Sequence, residues 1–263
     1  MPHLLRLALK QPPPDDAPYP FLVPQIRTLP EIDLNVPVTF FVGENGSGKS
    51  TLLEGIAAAA ELPAMGGSQV ATDDTMAPAR QLGTALRLVW TAKSRKGFFL
   101  RAEDFFARLK WLARDDARYA REMAEANAGV RADVARVMPV EAGHPDEQRA
   151  ARFIAKYDSR SHGESFMDLF TQRIRPAGLY LLDEPEAPLS PTRQIAFLDV
   201  ITRAARKGAQ FIIATHSPIL LACPGARIYS FDETPIGEVK YEELEHVVVT
   251  RDFLNDPSRF TGA

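Results

Sequence analysis

The sequence predicts an α/β fold: a mainly parallel central sheet, an N-terminal antiparallel β-subdomain and a helical subdomain inserted between its halves. Three observations lead there. Continuous apolar runs of strand length (38–42, 179–182 and 211–214) alternate with helix-period segments, the pattern of strands buried on both faces. A glycine-rich loop joins the first run directly to a helical pattern over 49–62. Between the first and second runs lies a long stretch, Glu103 to about Lys156, with Phe105, Phe106, Leu109 and Leu112 at helix spacing.

Taken in order, Leu5, Leu7 and Leu9 alternate with Arg6, Ala8 and Lys10, so an opening half-buried strand is expected, ended by Pro12, Pro13 and Pro14. Residues 12–37 read as irregular chain with one short strand. The run 38–42 is a compact strand closed by Gly43, and 63–81 carries loop chemistry. Leu86, Leu88 and Trp90, followed by 98–100, read as a hairpin around Lys93, Ser94, Arg95, Lys96 and Gly97. A helix over 164–174 precedes the strand 179–182; an amphipathic helix over 191–207 precedes the strand 211–214. The runs 228–231 and 239–241 close the sheet. A single domain over 1–263 is expected, divided into 1–101, 102–175 and 176–263.

Composition sets outer bounds. With 263 residues, 45% hydrophobic and 25% charged, the chain matches ordinary globular proteins and can bury a core without staples. The balance of 31 basic against 34 acidic side chains argues against nucleic-acid binding by bulk charge. The lone Cys223 cannot form an intramolecular disulfide, which points to a reducing compartment, the cytoplasm. No apolar run is long enough to span a bilayer, and the N-terminus lacks the pattern of a secretory signal.

The chemistry is concentrated in a few segments. Gly43, Glu44, Asn45, Gly46, Ser47, Gly48, Lys49 and Ser50 fit the phosphate loop G-x-x-x-x-G-K-[ST], placed between a strand and a helix as its mechanism requires. Backbone amides from Glu44 to Thr51 would surround phosphate oxygens, Lys49 would reach the β and γ phosphates, and Ser50 would ligate Mg²⁺. Asp183 and Glu184 end an apolar strand, where open α/β sheets place their ligands. Asp183 is expected to hold Mg²⁺ through water and Glu184 to orient the attacking water. His216, just after the strand 211–214, could reach the γ-phosphate or that water.

In these segments the chain resembles the ABC-type ATPases, in the branch of stand-alone ATPases that includes RecF, SMC heads and OLD-type proteins. Residues 43–50 resemble Walker A, 179–185 Walker B with its catalytic glutamate, and Thr215-His216 the switch histidine. Residues 160–164 resemble the signature motif, with Ser161 and Gly163 in the positions that contact the γ-phosphate of a second copy. His162 and Glu164 depart from the usual residues there. The Q-loop position falls near Arg101 or Glu103, with no glutamine, and Ser190 stands where the D-loop often carries aspartate. Tyr19 or Phe21 could stack on adenine. The resemblance implies binding of ATP and Mg²⁺, ATP hydrolysis and a homodimer closed by nucleotide. Three uses stay open: a stand-alone ATPase linked to DNA, the ATP-binding subunit of a membrane transporter, or a scaffold that does not hydrolyse. Basic contacts for DNA would come from Lys93, Arg95, Lys96 and Arg101, or from Arg149, Arg152 and Lys156. A role for the C-terminal 241–263 is not readable from the sequence.

Overall fold

A computed structural model describes residues 2–64, 77–93, 96–102 and 162–261. Among the described residues, nine strands form two sheets. The central sheet has the order β5-β6-β7-β3-β8-β9, built from Gly97–Arg101 (β5), Leu179–Asp183 (β6), Gln210–Ala214 (β7), Val38–Val42 (β3), Arg227–Ser230 (β8) and Gly237–Val239 (β9). Its first five strands are parallel and only β9 runs antiparallel, on β8. A separate antiparallel sheet has the order β2-β1-β4, from Leu4–Leu9 (β1), Ile32–Asp33 (β2) and Leu86–Trp90 (β4). The α/β fold, the mainly parallel sheet and the N-terminal antiparallel sheet expected from the sequence are all present.

Strands β3, β6 and β7 are buried along their whole length, which is why they read as continuous apolar runs. Their side chains alternate between two cores. Phe41, Leu179, Leu181 and Ile212 face one core, with Leu52, Leu53 and Ile56 of α2 (Lys49–Ala60) and with the antiparallel sheet. Phe40, Val42, Tyr180, Leu182, Phe211 and Ile213 face the other. There they meet Phe166 and Phe170 of α4 (His162–Arg173) and Phe197 and Ile201 of α5 (Pro191–Arg206). The Phe170 ring lies 4.6 Å from that of Phe197 and Tyr180 stacks at 5.2 Å on Phe211, contacts that add geometric preference to plain burial.

The two sheets are joined by hydrogen bonds from Arg227 and Tyr229 of β8 to Asp33 of β2 and by one buried side-chain amide. Gln210, fully buried at the start of β7, accepts hydrogen bonds from the His3 and Leu4 amides and donates to the Leu4 and Leu34 carbonyls, at 2.8–2.9 Å. All four hydrogen-bonding positions of the side-chain amide are thereby used.

Three local expectations are corrected. Strands β4 and β5 do not form a hairpin: β4 pairs with β1 and β5 with β6, so the chain between them crosses from one sheet to the other. The expected loop 63–81 gives way at its end to a helix, α3 (Ala77–Ala85), packed on α2. In β1 the register shifts between Leu4 and Arg6, so Leu4 and Leu7, rather than Leu5 and Leu9, are fully buried. The helical stretch expected over 103–156 lies outside the described residues. Beyond β9, a 3₁₀ turn (Tyr241–Glu243) leads into α7 (Glu245–Asn255) and α8 (Ser258–Thr261); the short α1 (Pro24–Arg27) and α6 (Pro218–Leu221) complete the helices of the described residues.

Candidate functional site

The parallel register aligns the C-terminal ends of five strands in one row. Arg101 pairs with Asp183, Asp183 with Ala214, and Ala214 with Phe41, while Val42 pairs with Ser230. The ladder continues past the strand ends through Glu184 N to Ala214 O, Thr215 N to Phe41 O and Phe231 N to Val42 O. The loop 43–48, Asp183-Glu184, Thr215-His216 and Asp232 therefore emerge side by side, where an open α/β sheet presents a ligand.

Loop 43–48 turns on three glycines with positive φ: Gly43 (141°), Gly46 (82°) and Gly48 (98°). At Gly48 a side chain is also barred by space, because a Cβ would lie 2.9 Å from Val23 Cγ1. Gly48 is the N-cap of α2 and provides no capping side chain, so the first-turn amides of Lys49, Ser50 and Thr51 have no partner within the helix. The Ser47 hydroxyl is buried and has no hydrogen-bond partner. Above Gly46 there is open space. Unsatisfied amides, an orphan hydroxyl and a helix N-terminus together fit a phosphate.

Lys49, only 5% exposed, turns its ammonium into the loop and donates to Gly43 O at 2.6 Å and Glu44 O at 2.8 Å. Burial pushes its pKa down, while Glu184, Asp183, Asp232 and Glu186 pull it back up. Ser50 Oγ donates to Asp183 Oδ1 at 3.1 Å, so the hydroxyl and carboxylate expected to share Mg²⁺ already face each other. These hard oxygen donors suit that ion. Burial raises the pKa of Asp183, opposed by the Ser50 hydrogen bond and the Arg101 charge.

Glu184 sits at φ 48°, a left-handed conformation unusual for a non-glycine residue, held by its amide bond to Ala214 O. The turn swings its half-exposed carboxylate toward His216, whose Nε2 lies 3.9 Å from Glu184 Oε1. His216 in turn is fixed through its backbone amide, which donates to Glu186 Oε1 at 2.8 Å. Its imidazole is pushed toward the neutral form by burial first and then by the Lys49 charge. Burial also raises Glu186, against the Thr215 hydroxyl and its backbone partners. A cleft of about 470 Å³ is bounded by Glu44, Asn45, Glu184 and His216. A larger one, about 900 Å³, runs from residues 43–47 past His216 and Asp232 to α7.

The remaining sequence candidates are distributed as follows. Tyr19 is 48% exposed with its hydroxyl 3.2 Å from Thr51 Oγ1 in the first turn of α2, whereas Phe21 is buried in the core. Gly163 is buried in the first turn of α4, where a Cβ would lie 2.7 Å from Arg193 Nη1 and 3.0 Å from Pro188 O. It packs on the segment leading into α5 of its own chain. Ser161 and Glu103 lie outside the described residues, as do Arg95, Arg149, Arg152 and Lys156. Ser190 caps the start of α5 by position but without a side-chain cap bond.

Sequence reasoning missed Asp232, whose Oδ1 accepts from the Glu44 amide at 2.8 Å and whose Oδ2 is bonded by Ser230 Oγ. Its position just past the end of β8 was the available signal. It also missed Glu54 and His246. The latter reaches the larger cleft from α7 and has a buried Nε2 with no partner.

Two family models match segments of the chain. Residues 25–61 match a family described as "AAA domain", and residues 153–222 match one described as "AAA domain, putative AbiEii toxin, Type IV TA system". The first segment contains the phosphate loop, the second Asp183, Glu184 and His216. No curated protein matches. Among solved structures, the chain is similar to "a putative metal-chelate type ABC transporter" in an inward-facing conformation, at 16% identity and TM-score 0.49, over 95% of this chain and 88% of that one. It is also similar to the Smc head domain of Pyrococcus furiosus, at 12% identity and TM-score 0.47, over 96% and 100%. A third is the SMC head domain from Thermotoga maritima, at 16% identity and TM-score 0.43, over 90% and 99%. No helix among the described residues is long and apolar enough to cross a membrane.

Proposed function

We propose that this chain is an AAA-type P-loop ATPase that binds ATP with Mg²⁺ on loop 43–50, hydrolyses it, and does so between two copies of the chain. The observation that carries the reading is the row of strand ends that sets Ser50 3.1 Å from Asp183 and Glu184 beside His216 in front of the loop. Amides of Asn45 and Gly46 and from Gly48 to Thr51, with the Ser47 hydroxyl, take the phosphate oxygens, the Glu44 amide being held by Asp232, and Lys49 exchanges its two loop carbonyls for the β and γ phosphates. Ser50 and Asp183 hold Mg²⁺, which when bound neutralises charge on those phosphates. Glu184 accepts the proton of the attacking water or orients it, and His216 supplies a neutral hydrogen-bonding ring to the γ-phosphate side. Tyr19 lies against the base.

Among the described residues the centre opens into the cleft bounded by Glu184 and His216, which suits completion by a second copy. Ser161, outside the described residues, and Gly163, in the first turn of α4, are the residues that the signature resemblance assigns to that contact; Gly163 itself packs on Pro188 and Arg193 of its own chain. Loss of the γ-phosphate would remove the bridge and open the pair, a nucleotide-driven switch. The test compares wild type with Glu184→Gln and Lys49→Ala by calorimetric titration, turnover and sedimentation. Glu184→Gln retains ATP binding, accumulates dimer with ATP and loses about a hundredfold or more of turnover, the usual worth of a general base. Lys49→Ala loses ATP binding. A fully active, monomeric Glu184→Gln protein would overturn the reading.

A further inference from the structure

Strand β5 delivers Arg101 into the same row of strand ends, opposite its register partner Asp183. Its Nε lies 3.5 Å from Asp183 Oδ2, and its Nη2 contacts Glu54 Oε1 on α2. Glu54 follows Ser50 by four residues, so one face of α2 presents both the hydroxyl facing Asp183 and the carboxylate that anchors the guanidinium. The side chains of Asp183 and Glu54 are only 5% and 14% exposed and that of Arg101 28%, which leaves little water to screen the charges. Both oxygens of Asp183 are thus engaged, Oδ1 by Ser50 and Oδ2 by a fixed cation. A divalent ion approaching Asp183 and Ser50 meets the charge of Arg101, and that of Lys49 behind it.

We propose that Arg101 is a positioning residue that withholds Asp183 from free divalent cations, so that the metal is admitted only together with a nucleoside triphosphate. The negative charge of the triphosphate supplies the attraction that a bare ion lacks in this setting. Glu54 makes the exchange workable: when Asp183 turns to the metal, the guanidinium keeps a buried carboxylate partner and is not stranded. The nucleotide half of this statement rests on the ATPase proposal. The competition between Arg101 and a divalent ion does not.

The test is Mn²⁺ binding to the full chain, followed by electron paramagnetic resonance, without nucleotide and then with a non-hydrolysable ATP analogue. Without nucleotide, wild type binds Mn²⁺ weakly, and Arg101→Gln and Arg101→Met each bind about tenfold or more tightly, because a unit charge beside the ligand is gone. Arg101→Met keeps the apolar stem should Arg101→Gln disturb packing. Arg101→Lys retains the charge and stays within about twofold to threefold of wild type. With the analogue present, wild type gains Mn²⁺ affinity and the gap to Arg101→Gln narrows. Folded Arg101→Gln and Arg101→Met proteins that bind Mn²⁺ as weakly as wild type overturn the proposal. A gain of Mn²⁺ affinity in these variants, with no analogue binding by any of them, would sink the ATPase reading and leave the Arg101 competition standing.

Discussion

Glu184, His216 and His246 show how single residues are set by surroundings far away in sequence. Glu184 accepts a left-handed backbone because the β7 carbonyl of Ala214 holds its amide, and the motif that flags it says nothing of that constraint. The phosphate loop and the Asp183-Glu184 pair were legible because each is a contiguous string with its chemistry built in. Asp232 was not, since its partner Glu44 is 188 positions away. The two histidines give a prediction in pH. Burial lowers both imidazoles below the ordinary value of 6.5, and at His246 the neighbouring His216 lowers it further while Asp232 raises it. The unfolded chain then binds more protons than the folded one just below that value, so their contribution to stability is intact above it and lost as pH falls through the folded pKa. Asp183 and Glu186, raised by burial, act with the opposite sign at lower pH, from their ordinary values of 3.8 and 4.5 upward. His246→Asn should therefore show a shallower fall in melting temperature than wild type between about pH 7.5 and about pH 5.5. Equal slopes for the two proteins would show that His246 carries no such linkage.

Among the elements, those legible in the sequence were the ones whose surroundings are uniform: strands buried on both faces, and helices with one apolar stripe. The failed hairpin is instructive. A short charged stretch ending in glycine, between two apolar runs, looks the same whether the flanking strands pair with each other or diverge. Here Gly97, at φ 133°, brings β5 so close to Leu179 that a Cβ would overlap the Leu179 carbonyl, and this commits β5 to β6. Helix α3 was missed because the chain before it has no periodicity and its own buried stripe is short, Ala79, Leu82 and Gly83, with glycines at the closest approach to α2. At Gly55 a Cβ would lie 2.7 Å from Leu82, and at Gly83 it would lie 3.1 Å from Ala59 N. In an exposed helix, replacing glycine gains stability, up to about 1 kcal/mol for alanine. Gly83→Val should instead cost about 2 kcal/mol, because backbone of α2 cannot yield to the added methyls. Chemical denaturation measures this, and a neutral or stabilising result would show that α3 sits less tightly on α2.

For the whole molecule, the division into two cores on either face of one sheet follows from strict alternation along β3, β6 and β7, and was foreseeable. The joint between the sheets was not, because Gln210 reads as an ordinary polar residue ahead of an apolar run. Gln210→Leu keeps the volume but leaves the Leu4 amide and the Leu4 and Leu34 carbonyls without their side-chain partner, a loss expected to cost about 3 kcal/mol. Urea unfolding of the variant tests it; an unchanged midpoint would mean that the antiparallel sheet is held by its apolar contacts and by the bonds of Arg227 and Tyr229 to Asp33. One further consequence lies in the strand order. Because β7 stands between β3 and β6, the strand ends that carry the loop proposed for phosphate and the carboxylate proposed for Mg²⁺ are held about 10 Å apart by two steps of backbone pairing. An engineer who wants this protein to accept a shorter or longer polyphosphate cannot retune that gauge by exchanging side chains. The adjustment has to be made in the connecting loops, and the frame beneath them can be left alone.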